Sequence, residues 1–312
     1  MNKYIKEYQW SNIFAMIKNL KSEAAVCTDD FKDRLVVITG ATSGIGKSTA
    51  AKYAAHGARI LSINRNEEKS KRLCEDLNKS YGSDCSYIIA DFSSLADVHR
   101  AGKQLAEMED QIDVLIHNAG TFVTNRSLTK DKMETVFQTN YLSTFILNQY
   151  LCKKFKAQGS GRILFVNSEA HRFAWLGLNL DDLFWENHSY TGGKSYGAAK
   201  LAQLLSMIKL NDEFTGTGVT INAMHPGNVK TNSGQNNGPL YKFFKRNVID
   251  RSALEAEISA EALYYLGVSQ EVSDVSGKFF NLTTIEEPSP PALDREAAEK
   301  LWNISLELGE LR

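Results

Sequence analysis

Short apolar segments of strand length alternate with longer segments of helical periodicity along most of the chain. In a strand buried on both faces, apolar residues run almost without interruption, whereas a helix repeats them every three or four positions. The strand segments are residues 35–39, 59–64, 86–91, 113–118, 161–168, 219–224 and 277–282. The alternation predicts an α/β protein with a doubly wound sheet of about seven parallel strands and helices on both faces.

The two ends of the chain depart from this alternation. Residues 31–285 contain no linker-like or low-complexity stretch, so we expect a single domain there. Residues 1–30 predict an amphipathic helical extension that packs on its own domain, on a twin subunit or on a membrane surface. Its apolar stripe consists of Trp10, Ile13, Ile17 and Leu20. Residues 286–312 predict a Pro-rich link followed by a helix over 295–308.

Composition and charge narrow the class of partner. With 312 residues and 43% hydrophobic content, the chain has ample material for a buried core. Its 36 Lys and Arg against 37 Asp and Glu give a formal net charge of −1, which supplies no overall field for nucleic acid. We therefore expect small-molecule partners and no nucleic acid. Peripheral contact with a membrane and formation of a homo-oligomer stay open.

Cysteine usage and the lack of targeting signals predict a cytoplasmic location. Cys27, Cys74, Cys85 and Cys152 have neither CxxC nor metal-ligand spacing, as expected of reduced thiols in the cytosol. The six histidines show no metal-ligand spacing either, so no metal is expected. No apolar run reaches the roughly 18 residues of a membrane span, and the N-terminus lacks the apolar region of a signal peptide. Peripheral membrane association is left open.

A glycine-rich stretch, TGATSGIGKS (39–48), follows the first predicted strand and opens a helix, where backbone N–H groups can bind phosphate. The P-loop of a kinase or ATPase requires a glycine where Ala41 stands, and the G-x-G-x-x-G spacing is absent too. The spacing of Gly40, Gly44 and Gly46 still permits a tight turn and a close approach of the backbone to a pyrophosphate. A dinucleotide is therefore favoured over ATP.

The stretch SYGAAK (195–200) places Tyr196 four residues before Lys200, with only small residues between them. Residues four apart share one face of a helix, so the ammonium can lie beside the phenol. The overlapping GKSYG (193–197) also fits the G-x-S-x-G nucleophile elbow, with Ser195 as the nucleophile of a hydrolase. That elbow requires a strand directly before it, but the preceding residues are polar and turn-rich. A serine hydrolase is therefore the less favoured alternative.

Short motifs follow one another along the chain in a fixed order. They are TGATSGIG, AD ending at Asp91, HNAG (117–120), TNYLSTF (139–145), VNS (166–168), YGAAK (196–200) and HPGNVKT (225–231). Each is unspecific alone, but the ordered set resembles the short-chain dehydrogenase/reductase family over nearly the whole domain. The extended N-terminus, NRN after the second strand and EKLWNISLEL near the C-terminus are similar to its retinol dehydrogenase-like branch. The resemblance implies a Rossmann-type fold.

The resemblance implies a catalytic tetrad made of Asn140, Ser168, Tyr196 and Lys200. Tyr196 would be the general acid and base, and Lys200 and the oxidised nicotinamide ring would both favour its ionised form. Lys200 would also hold the nicotinamide ribose, and the small residues after Tyr196 would let the helix lie close to the cofactor. Ser168 would hydrogen-bond the substrate oxygen, and Asn140 would hold a water that links Lys200 to solvent.

The end of the second strand indicates which nicotinamide cofactor binds. An acidic residue there would bind the ribose 2′-OH of NAD, but Asn64 and Arg65 occupy these positions. Arg65 can form two bonds to a 2′-phosphate and Lys47 can add charge, so NADP(H) is favoured. The expected cofactor-binding residues, most of them implied by the resemblance, are Gly40, Ser43, Gly44, Ile45, Gly46, Arg65, Asp91, Asn118, Ala119, Gly120, Tyr196, Lys200, Pro226, Gly227, Val229 and Thr231.

These features predict an NADP(H)-dependent oxidoreductase that interconverts a carbonyl and an alcohol by hydride transfer. Residues 171–185 and 233–250 would form the substrate wall, where aromatic side chains would suit a retinoid, steroid or other lipophilic carbonyl. The expected substrate contacts are Phe173, Trp175, Tyr241 and Phe244. One alternative is a non-catalytic NADP-binding scaffold or redox sensor, which an intact Tyr196 and Lys200 disfavour. The other is the serine hydrolase.

Overall fold

Strands and helices alternate along the chain as the apolar pattern predicts. The computed structural model describes residues 3–9, 19, 23–227 and 256–312. Its strands are β1 (Leu35–Thr39), β2 (Arg59–Asn64), β3 (Cys85–Ile89), β4 (Val114–His117), β5 (Gly161–Val166), β6 (Val219–His225), β7 (Phe279–Asn281) and β8 (Thr284–Glu286). Its helices are α1 (Gly44–Ala55), α2 (Glu67–Tyr81), α3 (Leu95–Glu107), α4 (Thr135–Phe137), α5 (Ser143–Gln158), α6 (Gly192–Phe214), α7 (Ala256–Val268) and α8 (Arg295–Leu308). A π-helical turn, Gln138–Leu142, joins α4 to α5.

These strands form one sheet in the order β3-β2-β1-β4-β5-β6-β7-β8. Strands β1 to β7 are parallel, which confirms the predicted Rossmann-type α/β sheet. Strand β8 runs antiparallel to β7 and was not predicted, because a three-residue strand is too short to show a pattern. The strand order changes direction between β1 and β4, which is where ligands bind in sheets of this kind.

Each face of the sheet is covered by a layer of helices. Because successive side chains of a strand point to opposite faces, Leu35 and Val37 of β1 enter one core cluster while Val36 and Ile38 enter the other. The first cluster includes buried side chains of α3, α5 and α6. The second includes buried side chains of α1, α2 and α7. The two cores explain why the strands read as uninterrupted apolar runs.

Side-chain caps fix the first turn of most of the longer helices. Asn66, Ser94, Thr191 and Asp294 each accept a hydrogen bond from the backbone N–H three residues further along. Helix α1 begins differently, since Ser43 at its N-cap makes no such bond and its first turn contains no acidic residue. Its first N–H groups are therefore available to an anionic ligand.

The pairing of two cysteines corrects one expectation from the sequence. Cys74 of α2 and Cys85 of β3 form a disulfide, with their Cα atoms 5.0 Å apart, although all four cysteines were expected to be reduced thiols. The spacing along the chain gave no signal, because the fold brings the two residues together by laying α2 against the edge strand. Cys27 and Cys152 are free, as expected.

The N-terminal residues that the structure describes pack on the body of the same chain. Tyr4 lies in a short 3-10 helix, Lys3–Lys6, and its hydroxyl donates a hydrogen bond of 2.6 Å to Asp294 at the start of α8. The Tyr8 hydroxyl donates to the backbone oxygen of Trp175. The apolar stripe predicted for residues 10–20 lies outside the described residues, so its packing stays a prediction. No helix among the described residues is long and apolar enough to cross a bilayer.

Candidate active site

The residues expected to do chemistry follow the carboxyl ends of adjacent parallel strands. Gly40 follows β1, Asn118 follows β4, Ser168 follows β5 and Pro226 follows β6. Because β1, β4, β5 and β6 are neighbours in the sheet, all four residues lie along one edge. That edge includes the point between β1 and β4 where the strand order changes direction, so the candidate site lies where a crevice is expected.

The glycine loop is shaped by close backbone contacts. Gly40 has a φ of +71°, and a Cβ there would lie 2.9 Å from the Cα of Ala119. A Cβ on Gly46 would lie 2.4 Å from the Gly40 carbonyl oxygen. Gly44 has a φ of +55° and faces open space, where a Cβ would meet nothing within 4 Å. The loop therefore needs glycine for its own folding at two positions, while at Gly44 its backbone is open to a ligand.

Two buried amides brace the glycine loop. Asn64, at the end of β2, accepts a 2.8 Å hydrogen bond from the backbone N–H of Ala41. Asn118 donates to the carbonyl oxygens of both Thr39 and Gly40. Both side chains hold the loop, and the neighbouring Arg65 is the side chain of this strand end that projects into solvent. The expected contact of Asn118 with the cofactor stays a prediction.

The other expected cofactor residues that the structure describes each have a contact within the protein. Ile45 is buried in the second core cluster, so only its backbone can face a ligand. Asp91 accepts hydrogen bonds from the N–H and the hydroxyl of Ser93, which fixes its carboxylate at the end of β3. Ala119 donates its N–H to Thr39 Oγ1. Gly120 packs against Asn140, since a Cβ there would lie 3.4 Å from Asn140 Oδ1.

Tyr196 and Lys200 share one face of α6, as their spacing predicted. Lys200 Nζ lies 5.6 Å from the centroid of the Tyr196 ring, and the edge of that ring also meets Phe122. Lys200 is 4% exposed, and its ammonium donates a 2.7 Å hydrogen bond to the carbonyl oxygen of Val166 in β5. Burial lowers the pKa of Lys200 to about 7, because an apolar environment disfavours the charged amine.

The small residue after Tyr196 allows a close contact within the protein. A Cβ on Gly197 would lie 2.5 Å from the carbonyl oxygen of Ala170, in the 3-10 helix Glu169–Ala174 that follows Ser168. Glycine at this position therefore lets α6 approach the segment that carries Ser168. Contact of this helix face with a cofactor stays a prediction.

Hydrogen bonds to both its backbone N–H and its backbone carbonyl hold Ser168 in place. Its N–H donates to Asn167 Oδ1, and its carbonyl oxygen accepts a 2.8 Å hydrogen bond from His171 Nδ1. Its Oγ accepts from the N–H of Ala170 and so caps the 3-10 helix. Because that bond uses an oxygen lone pair, the Ser168 hydroxyl can still donate its hydrogen to a substrate.

Asn140 lies in the π-helical turn between α4 and α5 and is fully buried. Its Oδ1 accepts a 2.7 Å hydrogen bond from the N–H of Thr121, and its Nδ2 donates to the Thr121 carbonyl oxygen. The side chain thus pins the loop after β4 to the π-helical turn. Its predicted part in holding a water stays a prediction.

Ser195 lacks the geometry of a nucleophile elbow. It lies in the first turn of α6 and is 2% exposed, and an irregular segment rather than a strand precedes the helix. Its hydroxyl donates a 3.1 Å hydrogen bond to the buried carboxylate of Glu134. A buried hydroxyl committed to a carboxylate inside a helix cannot reach an ester, so the structure argues against the hydrolase alternative.

The expected substrate wall is only partly described. Phe173 and Trp175 follow Ser168 closely and are 63% and 50% exposed. Pro226 and Gly227 follow β6, and the Pro226 carbonyl oxygen accepts a hydrogen bond from Ser259 at 2.6 Å. Four expected residues lie outside the described residues, together with all of 233–250. They are Val229, Thr231, Tyr241 and Phe244.

Comparison with known proteins identifies the family. Residues 34–180 match the model of the family described as short chain dehydrogenase. Retinol dehydrogenase 13 from Homo sapiens is 32% identical over 280 residues, covering 88% of this chain and 84% of that protein. The chain belongs to the short-chain dehydrogenase family. Retinol dehydrogenase 14 from Mus musculus is 33% identical over 285 residues, covering 87% of this chain and 84% of that protein.

A solved structure shares the fold of this chain. The crystal structure of a protein from Mycobacterium paratuberculosis aligns with a TM-score of 0.72 and 27% identity. The alignment covers 92% of this chain and 98% of that one. The resemblance to the short-chain dehydrogenase/reductase family and to retinol dehydrogenases, seen in the sequence motifs, is therefore confirmed.

The residues of this short-chain dehydrogenase fit a nicotinamide dinucleotide. The open backbone at Gly44 and the α1 start at Ser43 suit a pyrophosphate. On the other side of the crevice, the buried ammonium of Lys200 suits a ribose hydroxyl. Among the described residues no group of three or more His, Cys, Asp or Glu side chains could hold a metal ion.

Sequence motifs did not reveal several residues that build the site. Thr39 Oγ1 accepts from the N–H groups of both Asn118 and Ala119. Glu134 accepts from the N–H groups at the start of α4 as well as from Ser195. Gln203, three residues after Lys200 on the same helix, contacts Lys200 directly. Helical spacing could have suggested Gln203, whereas Glu134 lies 61 residues before Ser195 and gave no local signal.

Proposed function

We propose that this protein is an NADP(H)-dependent oxidoreductase that interconverts a carbonyl and an alcohol on a lipophilic substrate. The observation that carries the proposal is the fully buried Lys200 ammonium beside the Tyr196 ring, at the sheet edge that also carries the glycine loop. A scaffold that only binds a nucleotide could use Lys200 to hold a ribose, but it would not need a tyrosine hydroxyl beside this costly buried cation. A phenol that must give up and regain a proton near neutral pH is helped by an adjacent cation.

Each member of the site has a separate task in this proposal. The nicotinamide, when bound, supplies or accepts the hydride. Tyr196 gives its hydroxyl proton to the carbonyl oxygen during reduction and takes a proton back during oxidation. Ser168 donates a hydrogen bond to the same oxygen as negative charge develops there. Lys200 stabilises the Tyr196 phenolate and binds the ribose hydroxyls.

The preference for NADP(H) rests on the end of β2. The Arg65 side chain is exposed there, while Asn64 is buried and committed to the glycine loop. A guanidinium can bind a 2′-phosphate through two parallel bonds. Lys47 is exposed in the first turn of α1, at the end of the glycine loop, and lies 3.9 Å from Asp76. It would supply a second cation by exchanging that carboxylate for the phosphate. Arg65 has no acceptor atom, and the Oδ1 of Asn64 is buried and already bonded to the Ala41 N–H, so neither takes the place of the acidic residue that selects NAD.

The lipophilic substrate class is supported by the exposed aromatic residues near Ser168. Phe173 and Trp175 present apolar surface within seven residues of the proposed catalytic serine. The names of the relatives, retinol dehydrogenases 13 and 14, give retinol, a lipophilic alcohol, as the substrate of those proteins. An apolar wall of this kind would align a long hydrocarbon and leave the polar group at Ser168 and Tyr196.

Two measurements made in sequence test the proposal. Fluorescence or calorimetric titration should show tighter binding of NADPH than of NADH or ATP. The protein should then oxidise NADPH in the presence of members of a panel of lipophilic aldehydes and ketones. The absorbance of NADPH measures this oxidation. Tighter binding of ATP would contradict the dinucleotide assignment. Tight NADPH binding without turnover of any member of the panel would favour the scaffold.

A further inference from the structure

The carboxamide of Gln203 contacts Lys200 in a buried hydrogen-bond network. Gln203 is 1% exposed and follows Lys200 by three residues in α6. Its Oε1 accepts hydrogen bonds from Lys200 Nζ at 3.2 Å and from Asn167 Nδ2 at 3.0 Å. Its Nε2 donates a 2.7 Å hydrogen bond to the backbone oxygen of Asn140.

The hydrogen-bond partners of Gln203 determine the positions of its amide oxygen and nitrogen. The Lys200 ammonium can only donate a hydrogen bond, and the Asn140 carbonyl can only accept one. The amide of Asn167 is oriented independently, because its Oδ1 accepts from the Ser168 N–H and its Nδ2 also donates to the Lys200 carbonyl. Rotating the Gln203 amide by 180° would place N–H against N–H and oxygen against oxygen.

This one side chain connects the three elements that carry the proposed tetrad. Asn140 lies in the π-helical turn, Lys200 lies in α6, and Ser168 follows β5 and is joined to Gln203 through Asn167. This connection lies inside the protein, because Asn140, Asn167 and Gln203 are all almost completely buried from solvent. A shift of the Gln203 amide would therefore move Lys200 relative to both neighbours.

The Lys200 ammonium depends on uncharged oxygens. Among the described residues, no carboxylate lies within 4 Å of Lys200 Nζ, and the acceptors are the Val166 carbonyl and Gln203 Oε1. Burial already lowers the pKa of Lys200 to about 7. An acceptor held rigidly by two other bonds favours the charged amine and opposes this effect.

We propose that Gln203 is a positioning residue, whose carboxamide holds the Lys200 ammonium in place and fixes α6 to the π-helical turn at Asn140. Its catalytic consequence rests on the proposed function, but its contact with Lys200 does not. An amide neither gains nor loses protons in the ordinary pH range, so the line from Lys200 through Gln203 to Asn140 transmits position and not protons. Protons exchanged by Tyr196 must travel by another route.

A double-mutant cycle on folding tests the contact without any assay of activity. Gln203→Met removes both polar atoms of the amide and keeps nearly the same side-chain length. The effect of Gln203→Met on the unfolding equilibrium is measured by urea denaturation at pH 6 and at pH 9. The same measurement is repeated in a protein that carries Lys200→Met. Because Lys200 has a pKa of about 7, we expect it to be mostly charged in the fold at pH 6 and mostly neutral at pH 9. We expect Gln203→Met to shift the unfolding equilibrium roughly fivefold to tenfold more at pH 6 than at pH 9. This excess should vanish when Lys200 is replaced.

Gln158→Met is the matched control. The Gln158 amide, like that of Gln203, makes three hydrogen bonds. All three go to backbone atoms at the amino ends of β4 and β5, away from the site. Its cost should be the same at both pH values and should not depend on Lys200. If Gln203→Met behaves in the same way, Gln203 is only a packing residue and the proposal fails.

Kinetics then separate this proposal from the proposed function. If the protein reduces carbonyls with NADPH, Gln203→Met should move the alkaline limb of the kcat profile about one pH unit toward acid, because Lys200 loses its charge earlier. An unmoved limb overturns the positioning role even where folding shows the contact. If no carbonyl is reduced by the wild-type protein, the proposed function fails, and the folding cycle still decides whether Gln203 holds the Lys200 ammonium.

Discussion

At the scale of single residues, the surroundings of Lys200 and Arg65 suit them to different tasks. Lys200 is buried, contacts two uncharged oxygens and has its pKa lowered, so small changes around it alter its charge near neutral pH. Arg65 is exposed and can rotate to meet a ligand. The first suits a proton-transfer centre and the second suits a phosphate clamp.

Arg65→Asp should shift cofactor preference from NADPH toward NADH. The substitution replaces a partner of the 2′-phosphate by a carboxylate that repels it and can bind the ribose 2′-OH. We expect NADPH to bind at least tenfold more weakly, as is usual for loss of a charge-assisted bond of roughly 1.5–3 kcal/mol. Titration of both cofactors measures the shift.

Arg72→Asp serves as the control for this change of charge. Arg72 is exposed on α2, where it pairs with Glu68 one turn before it. The same charge reversal there should leave the ratio of NADPH to NADH affinity unchanged. If Arg65→Asp also leaves that ratio unchanged, Arg65 does not determine the cofactor.

Among the secondary-structure elements, α6 contains two glycines that differ in their surroundings. Gly193 lies in its first turn, where a Cβ would meet nothing within 4 Å, whereas Gly197 packs against the backbone of Ala170. Glycine is costly inside a helix because it has the most backbone freedom to lose. At Gly197 that cost is offset by the approach of α6 to the segment after Ser168.

Gly193→Ala and Gly197→Ala should therefore change stability in opposite directions. We expect Gly193→Ala to stabilise the protein by up to ~1 kcal/mol through the lower entropy of the unfolded chain. We expect Gly197→Ala to destabilise it by ~1–3 kcal/mol, because the new methyl group would lie 2.5 Å from a carbonyl oxygen. Urea unfolding of both variants measures the difference. Equal effects of the same sign would contradict the packing described for α6.

The sequence predicts the elements well where a long pattern exists and poorly where a contact is not local. Uninterrupted apolar runs located β1 to β7, and helical spacing placed Tyr196 beside Lys200. Strand β8 is too short to show alternation, and the disulfide of Cys74 depends on how α2 lies against β3. The motifs named Asn118 as a cofactor residue, but only the structure shows that its side chain braces the glycine loop.

At the scale of the whole molecule, several buried histidines link stability to pH. Burial lowers the pKa of His171 to about 3 and of both His117 and His225 to about 4. At His171 the positive charge of Arg172 adds to the effect of burial on the pKa. The neutral ring donates from Nδ1 to the Ser168 carbonyl and accepts at Nε2 from the Ser289 N–H. A second proton on this ring would place two donors face to face.

The unfolded chain binds protons at these histidines at a higher pH than the folded chain does. Between pH 6.5 and about 3, His171 is therefore protonated when unfolded and neutral when folded, so stability falls as the solution becomes more acidic. Each such histidine contributes a slope of roughly 1.4 kcal/mol per pH unit. We expect His171→Gln to reduce the slope of unfolding free energy against pH by about one proton. An unchanged slope in this window would show that His171 is protonated in the fold.

In the proposed mechanism Tyr196, and not Ser195, transfers the proton, so Tyr196→Phe is the decisive variant. The substitution keeps the ring that packs against Phe122 and removes only the hydroxyl. Turnover of a lipophilic carbonyl should fall by about 10²–10⁴-fold, while NADPH affinity stays unchanged. Ser195→Ala, which removes a buried hydroxyl bonded to Glu134, should keep most of the activity. A Tyr196→Phe enzyme that retains most of its turnover while Ser195→Ala loses it would contradict the account.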